Sequence, residues 1–252
     1  MNTESKTNTA ATCDSLVIIP TYKEEDNIGR IISYILTKLE KQFHILIIDD
    51  NSPDRTAEIV KNLIKEYPDK LFLEQRAGKL GLGTAYIYGF KWALQHGYDF
   101  IFEMDADFSH PPNSLIDLYN ACKEGADLSI GSRYLEGKIS VVNWPMGRLL
   151  MSYCASIYVR KILGFKVYDT TAGFVCYRRR LLEQIKFDKI KFVGYAFQIE
   201  MKYTAWKLGF KIKEVPIIFT DRVMGESKMS MKIFKEAFWG IFSLKFRNWK
   251  KY

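Results

Sequence analysis

No stretch of this chain is apolar for the roughly eighteen residues a membrane-crossing helix needs. The longest uncharged stretch of interest, Leu149 to Val159, is closed off by Arg148 and Arg160. Residues 1–14 are polar and lack the apolar core of a signal peptide, so they are expected to form a loose leader. Cysteine is sparse: Cys13, Cys122, Cys154 and Cys176 lie far apart in neither a zinc nor a redox spacing. They are expected to be reduced thiols, as in a cytoplasmic protein. Two phosphate-binding signatures are also missing. The loop Gly78-Lys79-Leu80-Gly81-Leu82-Gly83 is not closed by Gly-Lys-Ser/Thr, and Tyr86 stands where a dinucleotide fingerprint needs its last glycine. That loop reads either as a turn into a helix or as backbone and Lys79 approaching a ligand.

What is present is a folded chain. Hydrophobic residues make up 48% of its 252 residues and charged ones 26%, enough for a large core and too apolar for disorder. The net charge of +8 favours an anionic partner. Nucleic acid is a poor one, because the basic residues are scattered and the central polar cluster is acidic.

Strand and helix signals alternate four times before residue 125. Strands are expected at Leu16–Ile19, Ile45–Ile48, Leu71–Leu73 and around Phe100–Met104, with a fifth at Leu128–Ile130. Between them, Asn27 is expected to cap a helix with its stripe at Ile28, Ile31, Ile32, Ile35, Leu36 and Leu39. Ser52-Pro53 reads as the cap and first position of a second helix, with its face at Ile59, Val60, Leu63 and Ile64. A third helix is expected from Thr84 to Gly97 and a fourth from Asn113 to about Gly125. This pattern predicts an α/β fold, a mostly parallel sheet with helices on both faces. Tyr22 and Glu24, Asp49 and Asp50, and Asp105 and Asp107 follow strands one, two and four, and so share one rim.

The stretch Tyr98–Pro112 is the centre of that rim. Phe100, Ile101, Phe102 and Met104 suit a buried strand, and Asp105-Ala106-Asp107 ends it. Residues two apart in an extended chain point the same way, so the spacing puts both carboxylates on one side. Adjacent carboxylates repel, and a divalent cation removes that cost. Hard oxygen ligands suit Mg²⁺ or Mn²⁺.

Pro20-Thr21-Tyr22-Lys23-Glu24, Asp49-Asp50-Asn51-Ser52-Pro53-Asp54, Gly81-Leu82-Gly83-Thr84-Ala85-Tyr86 and Asp105-Ala106-Asp107 resemble the inverting GT-A glycosyltransferases of family 2. Further motifs resemble the polyprenyl-phosphate (dolichyl-phosphate) mannosyltransferase group of that family. They are Gly131-Ser132-Arg133-Tyr134, Asp169 to Phe174, Gly194 to Glu200, and Asp221 to Lys228. The resemblance spans roughly residues 16 to 228 in order. It implies a Rossmann-like GT-A domain over 15–229. Pro20, Tyr22, Glu24, Ile48 and Asp50 would line a nucleotide pocket, with Asp50 reaching the base. Asp105 and Ala106 would lie against ribose and diphosphate, Asp107 would ligate the metal, and Arg133, Arg222 and Lys228 would hold phosphates. Asp107, Arg133 and Arg222 are the expected catalytic residues. Ser109 stands where some relatives carry a glutamine ligand, and a serine hydroxyl is a poorer one.

The resemblance implies inverting transfer of mannose from GDP-mannose to a polyprenyl phosphate, with UDP-glucose or another UDP-sugar as the alternative donor. A noncatalytic membrane-associated binding module is the rival of another class. A nucleotidyltransferase would need a basic loop near the N-terminus, whereas Pro20–Glu25 is acidic. Two anions must meet in the proposed reaction, and Arg133, Arg148, Arg222 and Lys228 are the cations available. The apolar helix expected over Leu149–Leu163 either packs on the sheet or walls a lipid tail. Residues 230–252 form a basic amphipathic segment with Phe234, Ala237, Phe238, Ile241 and Phe242 on one stripe, and Trp239 and Trp249 nearby. It suits an anionic bilayer or the sheet of its own domain equally. The expectation is a peripheral protein on the cytoplasmic face of a membrane, with a small membrane subunit or a homo-oligomer left open.

Overall fold

A computed structural model describes residues 13–221 except Glu136 and Tyr195, and residues 240–249 except Asn248. The chain alternates as its apolar pattern requires: β1 (Ser15–Thr21), α1 (Ile28–Lys38), β2 (His44–Asp49), α2 (Thr56–Glu66), β3 (Leu71–Gln75), α3 (Leu82–Gln95), β4 (Phe100–Glu103), α4 (Ser114–Lys123) and β5 (Leu128–Ser132). Short strands β6 (Tyr134–Leu135), β7 (Lys138–Ile139) and β8 (Val141–Val142) lead to the long helix α5 (Met146–Leu163). Then come β9 (Val175–Arg178), α6 (Arg179–Leu182), α7 (Ala196–Lys207), β10 (Ile212–Pro216) and β11 (Phe219–Thr220).

Seven strands form one sheet in the order β10-β5-β9-β4-β1-β2-β3. All neighbours are parallel except β9, which runs antiparallel between β4 and β5. Strand order turns at β1, which pairs with β2 on one side and β4 on the other. That is the switch point where ligands bind open α/β sheets, at the carboxyl ends of the strands.

The central strands are covered on both faces: β2, β4 and β5 are buried at every position and β1 at all but Pro20, whereas the edge strands β3 and β10 are partly exposed. Leu16, Ile18, Leu46, Ile48 and Ile101 join a layer with Tyr86 and Phe90 of α3 and Phe197 and Met201 of α7. Val17, Ile19, Ile45, Ile47 and Phe102 join the opposite layer with Ile28, Ile31, Ile32 and Ile35 of α1, Val60 of α2 and Leu115 and Leu118 of α4. Helix α3 lies close on the sheet because residue 89 is glycine. A Cβ there would sit 2.8 Å from Ile18 and 2.9 Å from Ile48. Gly89→Ala sets a helix-propensity gain of up to about 1 kcal/mol against overpacking of about 1–3 kcal/mol. The expected result is a lowered Tm. A raised Tm would show that the two isoleucines have room to move.

The helix starts differ from the sequence expectation for local reasons. The Asn27 side chain donates to Glu24 Oε2 (3.2 Å) rather than capping α1. Helix α2 starts at Thr56 because Asp49 captures Ser52, and Asp54 Oδ1 accepts the Thr56 N–H (3.2 Å). Helix α3 starts two residues before Thr84 and ends at Gln95, with Gly97 just beyond at φ +83°. Residues 240–245 are helical, and Ile241 and Leu244 are buried in the layer of α3 and α7. Arg247 pairs with the buried Glu200. The described part of the basic tail therefore covers its own domain. Phe234, Ala237, Phe238 and Trp239 lie outside the described residues, as do residues 1–12 of the leader. Among the described residues no helix is long and apolar enough to cross a membrane. All four cysteines are free thiols.

Candidate functional site

The site is built where β1, β2 and β4 end. At the end of β2, two adjacent aspartates face different tasks. Asp49 is fully buried and accepts from Thr21 Oγ1 (3.0 Å), Ser52 N (3.0 Å) and Ser52 Oγ (2.5 Å). It fastens the two strand ends to each other. Asp50 pairs with Arg76, whose Nε lies 2.6 Å from Asp50 Oδ1. The same guanidinium donates to Thr84 Oγ1 (2.8 Å) and Gly81 O (3.4 Å). Arg76 thus ties the glycine loop to the carboxylate expected to reach a base. The sequence reading did not single out Arg76; its one signal was a cation opening that loop.

The loop also comes over Tyr22, with Lys79 Nζ 4.9 Å from the ring centroid. Gly83 is needed for the same closure: a Cβ there would meet the Phe197 ring at 2.8 Å and Phe192 O at 3.0 Å. Pro20 pairs in register with Ile48, and the Glu24 N–H donates to Thr56 Oγ1 (2.9 Å). Ile48 is fully buried in the α3 layer, beneath the rim.

At the end of β4 the extended-chain argument stops applying. The strand ends at Glu103, and the chain folds back through Phe108 at φ +60°. Asp105 and Asp107 both lie on this turn, just past the strand end. Burial first, and then chiefly the charges of Asp105 and Glu103, hold the Tyr86 hydroxyl well above its ordinary pKa. Asp107 Oδ1 accepts from Ser109 N (3.1 Å) and Ser109 Oγ (2.6 Å). The expected third ligand is therefore placed as a donor that orients the second aspartate. His110 Nδ1 accepts the Asp105 N–H (3.1 Å). Among the described residues no three His, Cys, Asp or Glu side chains gather to hold a metal ion. The chemistry of the turn still fits a hard divalent cation. It offers two carboxylates and no soft ligand, and oxygens of a bound diphosphate would complete the set.

At the end of β5, Arg133 is buried and bidentate on Asp169, Nε to Oδ2 and Nη2 to Oδ1 at 2.7 Å each. Nη2 also reaches Thr171 Oγ1 (2.9 Å). Burial pushes the Asp169 carboxyl up, but the charge and hydrogen bonds of Arg133 outweigh that and hold it below its ordinary pKa. Arg148 Nη1 lies 2.9 Å from both oxygens of Asp221. Both guanidiniums rest against Trp144, Arg148 at 4.2 Å and Arg133 at 5.4 Å from its centroid. Arg133 and Arg148 are thus brought together beside the acidic turn. Arg222 and Lys228 lie outside the described residues.

A buried polar relay lies under the rim. Gln198 Nε2 donates to Glu103 Oε2 (2.6 Å), and Gln198 Oε1 accepts from Lys202 Nζ (3.3 Å). Lys202 also donates to Ala172 O (2.6 Å). Burial drives both groups toward their neutral forms, Glu103 up to about 8 and Lys202 down to about 8. The relay joins β4 to α7 and to the loop carrying Asp169.

The family model described as glycosyl transferase family 2 matches residues 16–186. A polyprenol monophosphomannose synthase of Mycolicibacterium smegmatis is 45% identical over 232 residues, covering 90% of this chain and 87% of the relative. An undecaprenyl-phosphate mannosyltransferase of Micrococcus luteus is 43% identical over 222 residues, covering 88% and 90%. Among solved structures, glucosyl-3-phosphoglycerate synthase from Mycobacterium tuberculosis with phosphoglyceric acid superposes with a TM-score of 0.65 at 17% identity, over 93% of this chain and 79% of that one. The same enzyme with Mn²⁺, uridine diphosphate and glucosyl-3-phosphoglycerate gives 0.64 at 18% identity over the same shares. At that identity the likeness speaks for the fold.

Proposed function

The chain belongs to glycosyltransferase family 2 and has a GT-A-like fold, and from its likeness to two polyprenyl-phosphate mannosyltransferases we infer that it transfers mannose to a polyprenyl phosphate, with GDP-mannose as the donor we propose. The observation that carries the reading is the meeting of two opposed charge groups on one rim. Arg133 lies 5.5 Å from the Phe219 ring centroid, and the His110 ring that accepts the Asp105 N–H meets the same phenyl at 5.6 Å. An acidic, metal-suited turn beside paired arginines is what the joining of two phosphorylated substrates requires.

Pro20, Tyr22, Glu24 and Asp50 line the nucleotide side, with Ile48 packed beneath and Lys79 reaching over Tyr22. Asp105 and Asp107 would hold Mg²⁺ or Mn²⁺, with Ser109 orienting Asp107, and Ala106 between them would lie against the diphosphate. When bound, the cation supplies electrostatic stabilisation of the negative charge on the departing nucleoside diphosphate. The acceptor phosphate is already largely ionised near neutral pH and needs no strong general base. It needs cations, and Arg148 and Arg133 supply them, joined by Arg222 and Lys228. Arg133 is held by Asp169, so its charge is fixed in place before substrates arrive. Met151, 37% exposed and three residues after Arg148 on the same side of α5, gives a lipid tail an apolar contact beside its phosphate. The protein would then work at the surface of an anionic membrane on its cytoplasmic face, as its +8 charge favours.

One displacement inverts the anomeric carbon, so an α-linked donor gives a β-linked lipid. NMR of the product should show a β-mannosyl phosphate, and GDP should compete with the donor far better than UDP. An α-linked product would overturn the single displacement. Stronger competition by UDP would replace the donor and leave the acceptor reading standing.

A further inference from the structure

We propose that His110 is a positioning residue for the carboxylate turn: its Nδ1 accepts the Asp105 N–H and so fixes the backbone from which Asp105 and Asp107 meet a divalent cation and the donor diphosphate. The proposal rests on the reading of that turn as the metal site.

The last parallel-ladder bond of this strand end runs from Met104 N to Ile18 O (3.2 Å). The next N–H, that of Asp105, falls beyond the ladder, and a partly buried donor there needs a partner. His110 supplies it at 3.1 Å. A backbone N–H can only donate, so Nδ1 carries no proton and the ring hydrogen sits on Nε2. Ser109 and His110 divide the work. Ser109 holds the Asp107 carboxylate, and His110 holds the Asp105 main chain. Both are needed because the turn between passes through Phe108 at φ +60°, a conformation unfavourable for an aromatic residue.

The imidazole is itself held. It is 3% exposed, stacks on Phe174 with centroids 5.0 Å apart and planes at 9°, and meets Phe219 edge-on at 5.6 Å. Phe174 follows the loop that carries Asp169 and Thr171, and Phe219 lies two residues before Asp221. The ring therefore references the acidic turn to the segments that hold Arg133 and Arg148. A tight supporting shell of this kind is what keeps a metal site in register.

Three variants separate positioning from packing. His110→Phe keeps a stacking ring and lacks the acceptor. His110→Leu also lacks the acceptor and keeps an apolar side chain smaller than phenylalanine, for the case where the phenyl ring does not fit. His110→Asn restores an acceptor oxygen on Cγ, where Nδ1 stood. Binding of Mn²⁺ in the presence of GDP is followed by electron paramagnetic resonance well below each variant's Tm, with Asp107→Ala and wild type alongside. The folded acceptor-less variant should bind Mn²⁺ about 10–100-fold more weakly. It should lose kcat with little change in KM for the polyprenyl phosphate, and His110→Asn should recover most of both. Wild-type Mn²⁺ affinity in the acceptor-less variant, or an Asn variant as impaired as Leu, overturns the proposal alone. Wild type that binds no better than Asp107→Ala overturns the metal reading and the proposal with it.

Discussion

Asp107→Ala should lose mannosyl transfer by about 10²–10³-fold or more in kcat while its Tm stays within about 1 kcal/mol of wild type in stability terms. The asymmetry comes from where the side chain sits. Asp107 is only partly buried on the rim, after the strand has ended, and its Oδ1 bonds run to Ser109 two residues away. Removing it disturbs a local turn and leaves both apolar layers untouched. In the reading proposed here, the same carboxylate helps neutralise charge that develops only as the donor breaks, so its removal falls on kcat. Asp107→Asn should fall between the two, since it keeps the Ser109 contact and loses the charge. Steady-state kinetics beside a thermal melt measure both quantities. A variant that melts early and, once folded, turns over normally would make Asp107 a structural residue.

Asp169→Asn should behave in the opposite way, with a large loss of stability. It leaves the Arg133 guanidinium buried without its counter-charge, which costs about 3–5 kcal/mol. At about 2–4 °C per kcal/mol for a domain of this size, Tm should fall on the order of 10 °C. Replacing both partners with apolar residues, as in Arg133→Met with Asp169→Leu, should recover much of the stability and none of the activity. Acidity gives a second handle. The folded Asp169 carboxyl ionises below the ordinary value of about 3.9 that the unfolded chain shows. Above that value the pair's contribution is complete, and it is lost as pH falls through the depressed folded value. The stability gap between wild type and Asp169→Asn should therefore stay level from pH 8 to pH 5 and close only below about pH 4. A gap that closes near neutrality would assign the pH dependence to another group.

The contrast between these two residues explains what the sequence made legible. Asp105 and Asp107 stand beside an apolar run in the chain, so their place at a strand end followed from local pattern. The first five strands were readable for the same reason, because strands buried on both faces leave short, unbroken apolar runs such as Leu16–Ile19. Strand β9 was not. It is four residues long and owes its place to antiparallel pairing with β4 and β5, which a local window does not contain. Arg133 was expected to hold a phosphate, but its partner lies 36 residues away. Arg76 with Asp50, Gln198 with Glu103 and His110 with Phe174 are likewise contacts made by the fold. Glu103 left one faint trace, a carboxylate inside an otherwise apolar strand. The turn at Phe108 also escaped the period-two argument, which holds only while the chain stays extended.

The most direct test of the account is transfer of radiolabelled mannose from GDP-mannose to a short polyprenyl phosphate in detergent, with Mg²⁺ and then with EDTA. The account predicts a labelled lipid that needs the acceptor, disappears with EDTA and returns with Mg²⁺ or Mn²⁺. A labelled lipid formed at full rate in EDTA would contradict the metal role of Asp105 and Asp107. No lipid product from GDP-mannose, UDP-glucose or any other nucleotide sugar would contradict the transferase reading itself.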